Sequence, residues 1–161
     1  MVQLYAGLDA ALESTSVCVV DGDGRTILET KVASDPEAIA TVLKRCEGEF
    51  ERVGFEAGPL FQWLYFGLKD AELPAVCIEA RHAKTVMTAM HRNKNDRNDA
   101  RALVHLIRSG WFKTVQVKSR VSQELRPLLV AREFLVNNLR DHNNEIRGLL
   151  RPFGLKVGRV S

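Results

Sequence analysis

Asp96 and Asp99 stand three residues apart in the stretch HRNKNDRNDA, from His91 to Ala100. If that stretch is helical, the spacing puts both carboxylates on one face. Arg92, Lys94, Arg97 and Arg101 surround them, so an acidic point sits in a basic field. Two carboxylates held close raise each other's proton affinity unless positive charge lies between them, and a divalent metal with oxygen ligands supplies that charge. Basic flanks give a polyanion a reason to approach. The same residues also read as acids that favour the positive end of a helix, beside a solvated charged face. Further ligands must therefore come from elsewhere in the chain.

Two candidates end apolar runs. Asp9 closes VQLYAGLDA, with Gly7 before it to allow close backbone approach, and Glu56 closes RVGF. At the C-terminal ends of strands in a mixed sheet, both would face a helix carrying Asp96 and Asp99. Four such carboxylates could hold two divalent ions about 4 Å apart, an arrangement suited to in-line attack on a phosphodiester. Each also has a plainer reading: Asp9 as a turn cap, Glu56 as a surface residue beside the Gly58-Pro59 bend. Glu79 competes with Glu56 because it too follows a β-rich run, but that run comes later and should lie farther from the first. Asp21 and Asp23 belong to the turn DGDG. His82 and His91 could orient a phosphate, and as exposed residues near a basic helix they need no function.

The elements around these residues follow from periodicity. Val2 to Ala10, Val17 to Val20 and Thr26 to Val32 read as three short strands. DGDG pairs the second and third as a hairpin, and a looser connection at Glu13 to Ser16 joins the first to the second. Asp35-Pro36-Glu37 opens a helix with Ile39, Val42, Leu43 and Cys46 at helical spacing. A strand at Arg52 to Phe55, a helix at Leu60 to Leu68, a strand at Ala75 to Ile78 and a short helix at Arg81 to Met90 come next. The aromatics Phe61, Trp63, Tyr65 and Phe66 read most simply as core. Three strands before any helix do not suit a doubly wound nucleotide fold. The order predicts an α/β fold with a ribonuclease H-like mixed sheet and flanking helices over 1–113. From Val121 to Phe153, apolar residues recur at alternating steps of four and three, with Arg132 and His142 as the polar exceptions. That pattern predicts a coiled-coil-like helical extension over 114–161, kinked or restarted at Pro127. It should dock on its own domain or on a second subunit. The closing residues, GLKVGRVS, read as the start of something, so the chain is expected to stop short of a second domain.

The net charge of +3 hides an asymmetry. Residues 1–80 hold 6 Lys/Arg against 14 Asp/Glu, and residues 81–161 hold 17 against 6. Such local excess steers nucleic acid more than the total does, although packing between the halves could also account for it. Cys18, Cys46 and Cys77 are widely spaced and odd in number, forming neither a zinc pattern nor a disulfide framework, so a reducing, cytoplasmic interior is expected. No apolar run is long enough to span a bilayer.

With these motifs in place the sequence resembles the N-terminal domain of the DEDD transposases of the IS110/IS1111 insertion-sequence group. YAGLDAALESTSVCVVDGDG at Tyr5 to Gly24, VGFEAGP at Val53 to Pro59, and KNDRNDARAL at Lys94 to Leu103 carry the resemblance, the last being similar to the family's K-[ST]-D-R-x-D-A signature. The helical stretch from Arg126 to Leu150 is similar to the helices that follow in the family. The resemblance implies a RuvC-like fold, DNA transposition by site-specific recombination, and a site of Asp9, Glu56, Asp96 and Asp99 holding Mg2+ or Mn2+. It further implies DNA as partner, in some members an element-encoded guide RNA, oligomers on DNA, and a second domain with a nucleophilic serine. Two departures stand out. Glu56-Ala57-Gly58-Pro59 replaces the family's E-[AS]-T-G, and Asn95 replaces a Ser/Thr. Two other readings compete. One is a non-catalytic nucleic-acid-binding and oligomerisation module of a recombinase. The other is an actin-like kinase lobe, which also opens on G-x-D and a hairpin but needs glycine-rich nucleotide loops this chain lacks.

Overall fold

The computed structural model describes residues 2–81 and 96–158, with Asp96 and Arg97 in backbone only. Of the expected helix at Arg81 to Met90 all but Arg81 lies outside the described residues, as does the HRNKN stretch at 91–95. The chain forms two compact units, Met1–Val117 and Lys118–Ser161.

The first unit is built on β1 (Gln3–Ala10), β2 (Ser14–Asp21), β3 (Thr26–Ala33), β4 (Glu49–Glu56) and β5 (Ala75–Ile78), in the sheet order β3-β2-β1-β4-β5. β1 pairs antiparallel with β2 and parallel with β4, and β4 is parallel to β5. This is the ribonuclease H-like mixed sheet expected from three strands preceding the first helix. The first connection is tighter than the sequence suggested. β2 begins at Ser14, and the Ala11 N–H donates to the Ser14 carbonyl. At the next turn, the Asp21 carboxylate accepts from the Asp23 and Arg25 amides, and Gly24 takes φ 87°.

Strand alternation sends residues to opposite faces. Leu4, Ala6 and Leu8 of β1, with Val53 and Phe55 of β4, face α1 (Pro36–Leu43) and α2 (Phe61–Asp70). Ile39, Leu43, Leu64 and Leu68 cover them. α1 begins where its sequence says it should: the Asp35 carboxylate accepts from the Ala38 N–H at 2.9 Å, and Pro36 occupies the first turn. The aromatics of α2 are less buried than expected. Leu64 and Leu68 take the core face, and Trp63 is half exposed.

The opposite face receives α3 (Asp96–Ser109). Ala100, Leu103, Val104 and Ile107 recur at helical spacing and are buried against Cys18, Val20 and Ile78. The helix comes unusually close because β1 and β4 offer glycines beneath it. A Cβ on Gly7 would lie 2.6 Å from the Val104 nitrogen and 2.7 Å from the Ala100 carbonyl oxygen, and one on Gly54 would lie 2.3 Å from Ile107 Cδ1. Residues 114–117 close the unit: Thr114 bridges to Ile78, and Val115 and Val117 pack on the core below α1 and α2.

The second unit is α4 (Arg120–Leu150), followed by a short 3-10 turn at Arg151–Phe153. Ser119 caps α4 by accepting from the Ser122 N–H. The helix runs through Pro127 as one element, so of the kink or restart expected there the restart does not occur. Pro127 is the eighth residue after the cap, in the third turn, where a proline removes an i→i−4 hydrogen bond. There the missing N–H and the ring's demand on the preceding turn do not end the element, and 31 residues continue as one helix. None of its residues is buried.

Candidate functional site

The register places two of the four predicted carboxylates side by side. Leu8 of β1 pairs with Phe55 of β4, so the next positions on these parallel strands are Asp9 and Glu56. Neighbouring strands run about 4.8 Å apart. Both residues follow a glycine by two positions, so by alternation they share the α3 face with Gly7 and Gly54. Each is partly exposed, as the last turn of covering helix gives way to solvent.

The direction of α3 decides which of its ends meets them. Near its C-terminus, Arg108 Nη1 donates to the Gly22 carbonyl oxygen at 2.9 Å, in the turn beside the start of β1. Arg52 donates to the Ile107 carbonyl oxygen from the same end of β4. Ala100, nearer the N-terminus, lies over Gly7. The helix therefore runs antiparallel to β1 and brings its first turn toward the strand ends that carry Asp9 and Glu56. Asp99 precedes Leu103 by one helical turn, and Leu103 packs with Ile78, the register partner of Glu56. Asp96 begins the helix, and its side chain lies outside the described residues. Glu79 follows β5, one strand beyond Glu56 and two from Asp9.

Carboxylate oxygens of this kind suit a hard cation such as Mg2+ or Mn2+. Among the described residues, no group of three or more His, Cys, Asp or Glu side chains could hold a metal ion. The described donors thus comprise a strand-end pair, Asp9 and Glu56, with Asp99 on the helix above.

The predicted nucleic-acid contacts divide. Arg92 and Lys94 lie outside the described residues, as does the side chain of Arg97. Arg101 is paired with Glu29 of β3: its Nε donates to Oε1, and its Nη2 donates to Oε2 at 2.9 Å. These hydrogen bonds and the carboxylate's charge push the guanidinium further above its ordinary range. Glu29 was not visible as a site residue in the sequence, because its partner is 72 residues away. Lys31 was missed as well. It stands in the row Asp9, Ser16, Lys31, placing a cation two strands from Asp9 and three from Glu56. The alternation of Glu29 and Lys31 with Leu28, Thr30 and Val32 was the available signal, since a charged face on an otherwise apolar strand asks what covers it.

Compared with known proteins, residues 6–154 match the family model of IS110-type DEDD transposases, described as "Transposase". Over 156 residues the chain is 31% identical to "Transposase for insertion sequence element IS1111A" of Coxiella burnetii (strain RSA 493 / Nine Mile phase I), covering 95% of this chain and 40% of that protein. The chain spans about 40% of the length of the curated relatives it matches. Among solved structures, Thermus thermophilus RuvC aligns with 71% of this chain and 100% of its own, at 15% identity and a TM-score of 0.47.

Proposed function

The chain belongs to the IS110 family of DEDD transposases, and on that footing we propose that it serves DNA transposition as a nucleic-acid-binding and self-associating part of the recombinase. The observation that carries this reading is α4. Val121, Leu125, Leu128, Leu135, Leu139, Ile146 and Leu149 are each at least half exposed along one seam. Leu129 and Val136 widen the stripe, and residues 118–161 carry nine Lys/Arg against four Asp/Glu. An apolar seam at heptad spacing is self-complementary, so a second copy of the same helix covers it, with the basic residues left at its margins for phosphate. Sedimentation velocity of the whole chain should show a dimer or higher species that Leu135→Arg and Leu139→Arg together convert to monomer. A monomeric wild type at tens of micromolar, on the order expected for a weak helical seam, overturns the self-association. Gel shifts of duplex DNA at two salt concentrations should weaken steeply with salt, and absence of any shift overturns the binding. The same titration with single-stranded RNA tests a guide-RNA partner.

A second reading is favoured by the register of Asp9 and Glu56 beneath the first turn of α3. Asp9, Glu56, Asp96 and Asp99 would hold Mg2+ or Mn2+, and all four can act ionised because the cation offsets their repulsion. A divalent cation held there supplies Lewis-acid activation for cutting a phosphodiester. The strand ends fix two donors at a set separation, and the helix carries the others as a unit, so alignment depends on how α3 is seated. Calorimetry with Mn2+ should show binding that Asp9→Ala and Glu56→Ala each weaken by about tenfold or more, on the scale of lost ligands. Equal affinity in both variants and the wild type refutes this reading.

A further inference from the structure

The Glu29–Arg101 ion pair joins β3 to the α3 face. Glu29, Cys18, Gly7 and Gly54 form one register row across four strands, and α3 crosses directly above that row. Cys18 packs with Ala100 and Val104, Gly7 meets the Ala100 and Val104 backbone, and Gly54 meets Ile107. Glu29 is the one charged residue in the row. Its side chain is 11% exposed, while that of Arg101 is 44% exposed. Cys18 Sγ lies 3.9 Å from Glu29 Oε1, adding a weak contact from below. By contrast, the Arg25–Asp23 and Arg140–Asp141 pairs are well solvated and join residues close in sequence.

We infer that the Glu29–Arg101 pair is a positioning device that sets the rotation of α3 about its axis, and so aims its first turn at the strand-end carboxylates. Hydrophobic packing is non-directional and resists rotation of a helix less than it resists separation. The glycine row fixes how close α3 comes. A two-pronged guanidinium–carboxylate pair fixes orientation, because both hydrogen bonds hold only when the fork and the carboxylate are nearly coplanar. Arg101 is two residues after Asp99, so a helix anchored at one is set in angle at the other. A rotation of one residue is about 100° and would turn Asp99 off the sheet edge. The part of the inference that concerns ligand alignment rests on the metal-binding reading above.

The test uses the whole chain with Glu29→Gln, Arg101→Lys and the reversal Glu29→Arg with Arg101→Glu. Arg101→Lys keeps the charge and loses the fork. Hydrogen exchange followed by mass spectrometry should show the amides of residues 100–103 exchanging at least tenfold faster in both single variants, with β1 and β4 amides unchanged. The reversal should recover part of that protection. Mn2+ affinity should fall in step in the single variants. Unchanged exchange in α3 overturns the inference, and so does faster exchange spread equally over the sheet, which would mark a purely structural pair. Wild-type Mn2+ binding that both single variants retain also overturns it. A wild type that binds no Mn2+ refutes the metal-binding reading instead, and the exchange result then decides the clamp alone.

Discussion

Gly7→Ala is the sharpest test of the seating of α3. The added methyl would meet the Val104 nitrogen at 2.6 Å, the Ala100 carbonyl oxygen at 2.7 Å and Val104 Cα at 2.9 Å. Ordinary contact begins near 3.4 Å, so helix and strand must separate by about 0.8 Å, and all three obstacles are backbone. No rotamer can relieve them. A gap of that size forfeits roughly a quarter to a half of each dispersion well along the interface, and overpacking of this kind costs about 1–3 kcal/mol. Alanine also restricts the unfolded chain, returning about 0.4–1 kcal/mol. The net expected loss is about 1.3 kcal/mol, which in urea shifts the midpoint down by about 0.6 M at an m-value of about 2 kcal/mol/M. Gly54→Ala supplies the control. Its methyl meets the Ile107 side chain, Cδ1 at 2.3 Å and Cγ1 at 2.6 Å, and not backbone. It should cost less, and Ile107→Ala should cost less in the Gly54→Ala background than alone. A Gly7→Ala midpoint within about 0.2 M of wild type, well below the shift expected from overpacking, refutes the close seating of α3 on β1. Equal coupling of Ile107→Ala with either glycine variant would do the same for the division between backbone and side-chain contacts.

Other consequences are open to measurement. Asp35→Ala removes the carboxylate that accepts from the Ala38 N–H and should cost about 1 kcal/mol by urea denaturation, whereas Asp35→Asn should cost little. Pro127→Ala restores a donor inside α4 and should raise helicity by circular dichroism and stabilise that unit by up to about 3 kcal/mol; no change in either would show that the element already accommodates the ring. Burial pushes the Cys77 thiol up to about 11 from an ordinary 9.0, so the neutral thiol is favoured in the fold. Stability from this group is fully present below pH 9 and drains away as pH rises toward 11, because the unfolded chain ionises first. Cys77 should accordingly resist alkylation at pH 8 in the native protein and react on unfolding, and rapid native labelling would contradict its burial.

The sheet order was legible because three β-rich runs precede the first helix and DGDG closes a hairpin, so local propensity and the tertiary outcome agree. The strand-end placement of Asp9 and Glu56 was legible for a related reason: each ends an apolar run after a glycine, and strand ends collect polar groups where helix cover stops. The α4 seam showed in its alternating steps, since heptad spacing is a property of the chain before it meets any partner. Trp63 misled, because an aromatic in an apolar run says nothing about which face of α2 it occupies. Pro127 ended no element although, beyond the first turn, a proline forgoes an i→i−4 hydrogen bond, so a breaker read locally did not decide where α4 stops. The family motifs were likewise readable as residue types at fixed spacing, and membership in the transposase family follows from them.

What needed the tertiary structure was everything set by contact between distant segments. Antiparallel passage of α3 over β1 comes from Arg108 reaching the Gly22 carbonyl and Ala100 settling over Gly7, and neither contact has a trace in local pattern. The same holds for Arg101, whose type and neighbours suggested phosphate while Glu29 holds it against the sheet. The sequence determined which side chains could do chemistry and the elements that carry them. Their register and the hand that each charge takes were decided by packing, because a salt bridge or a close approach depends on coordinates that residues far apart share only once the chain has folded.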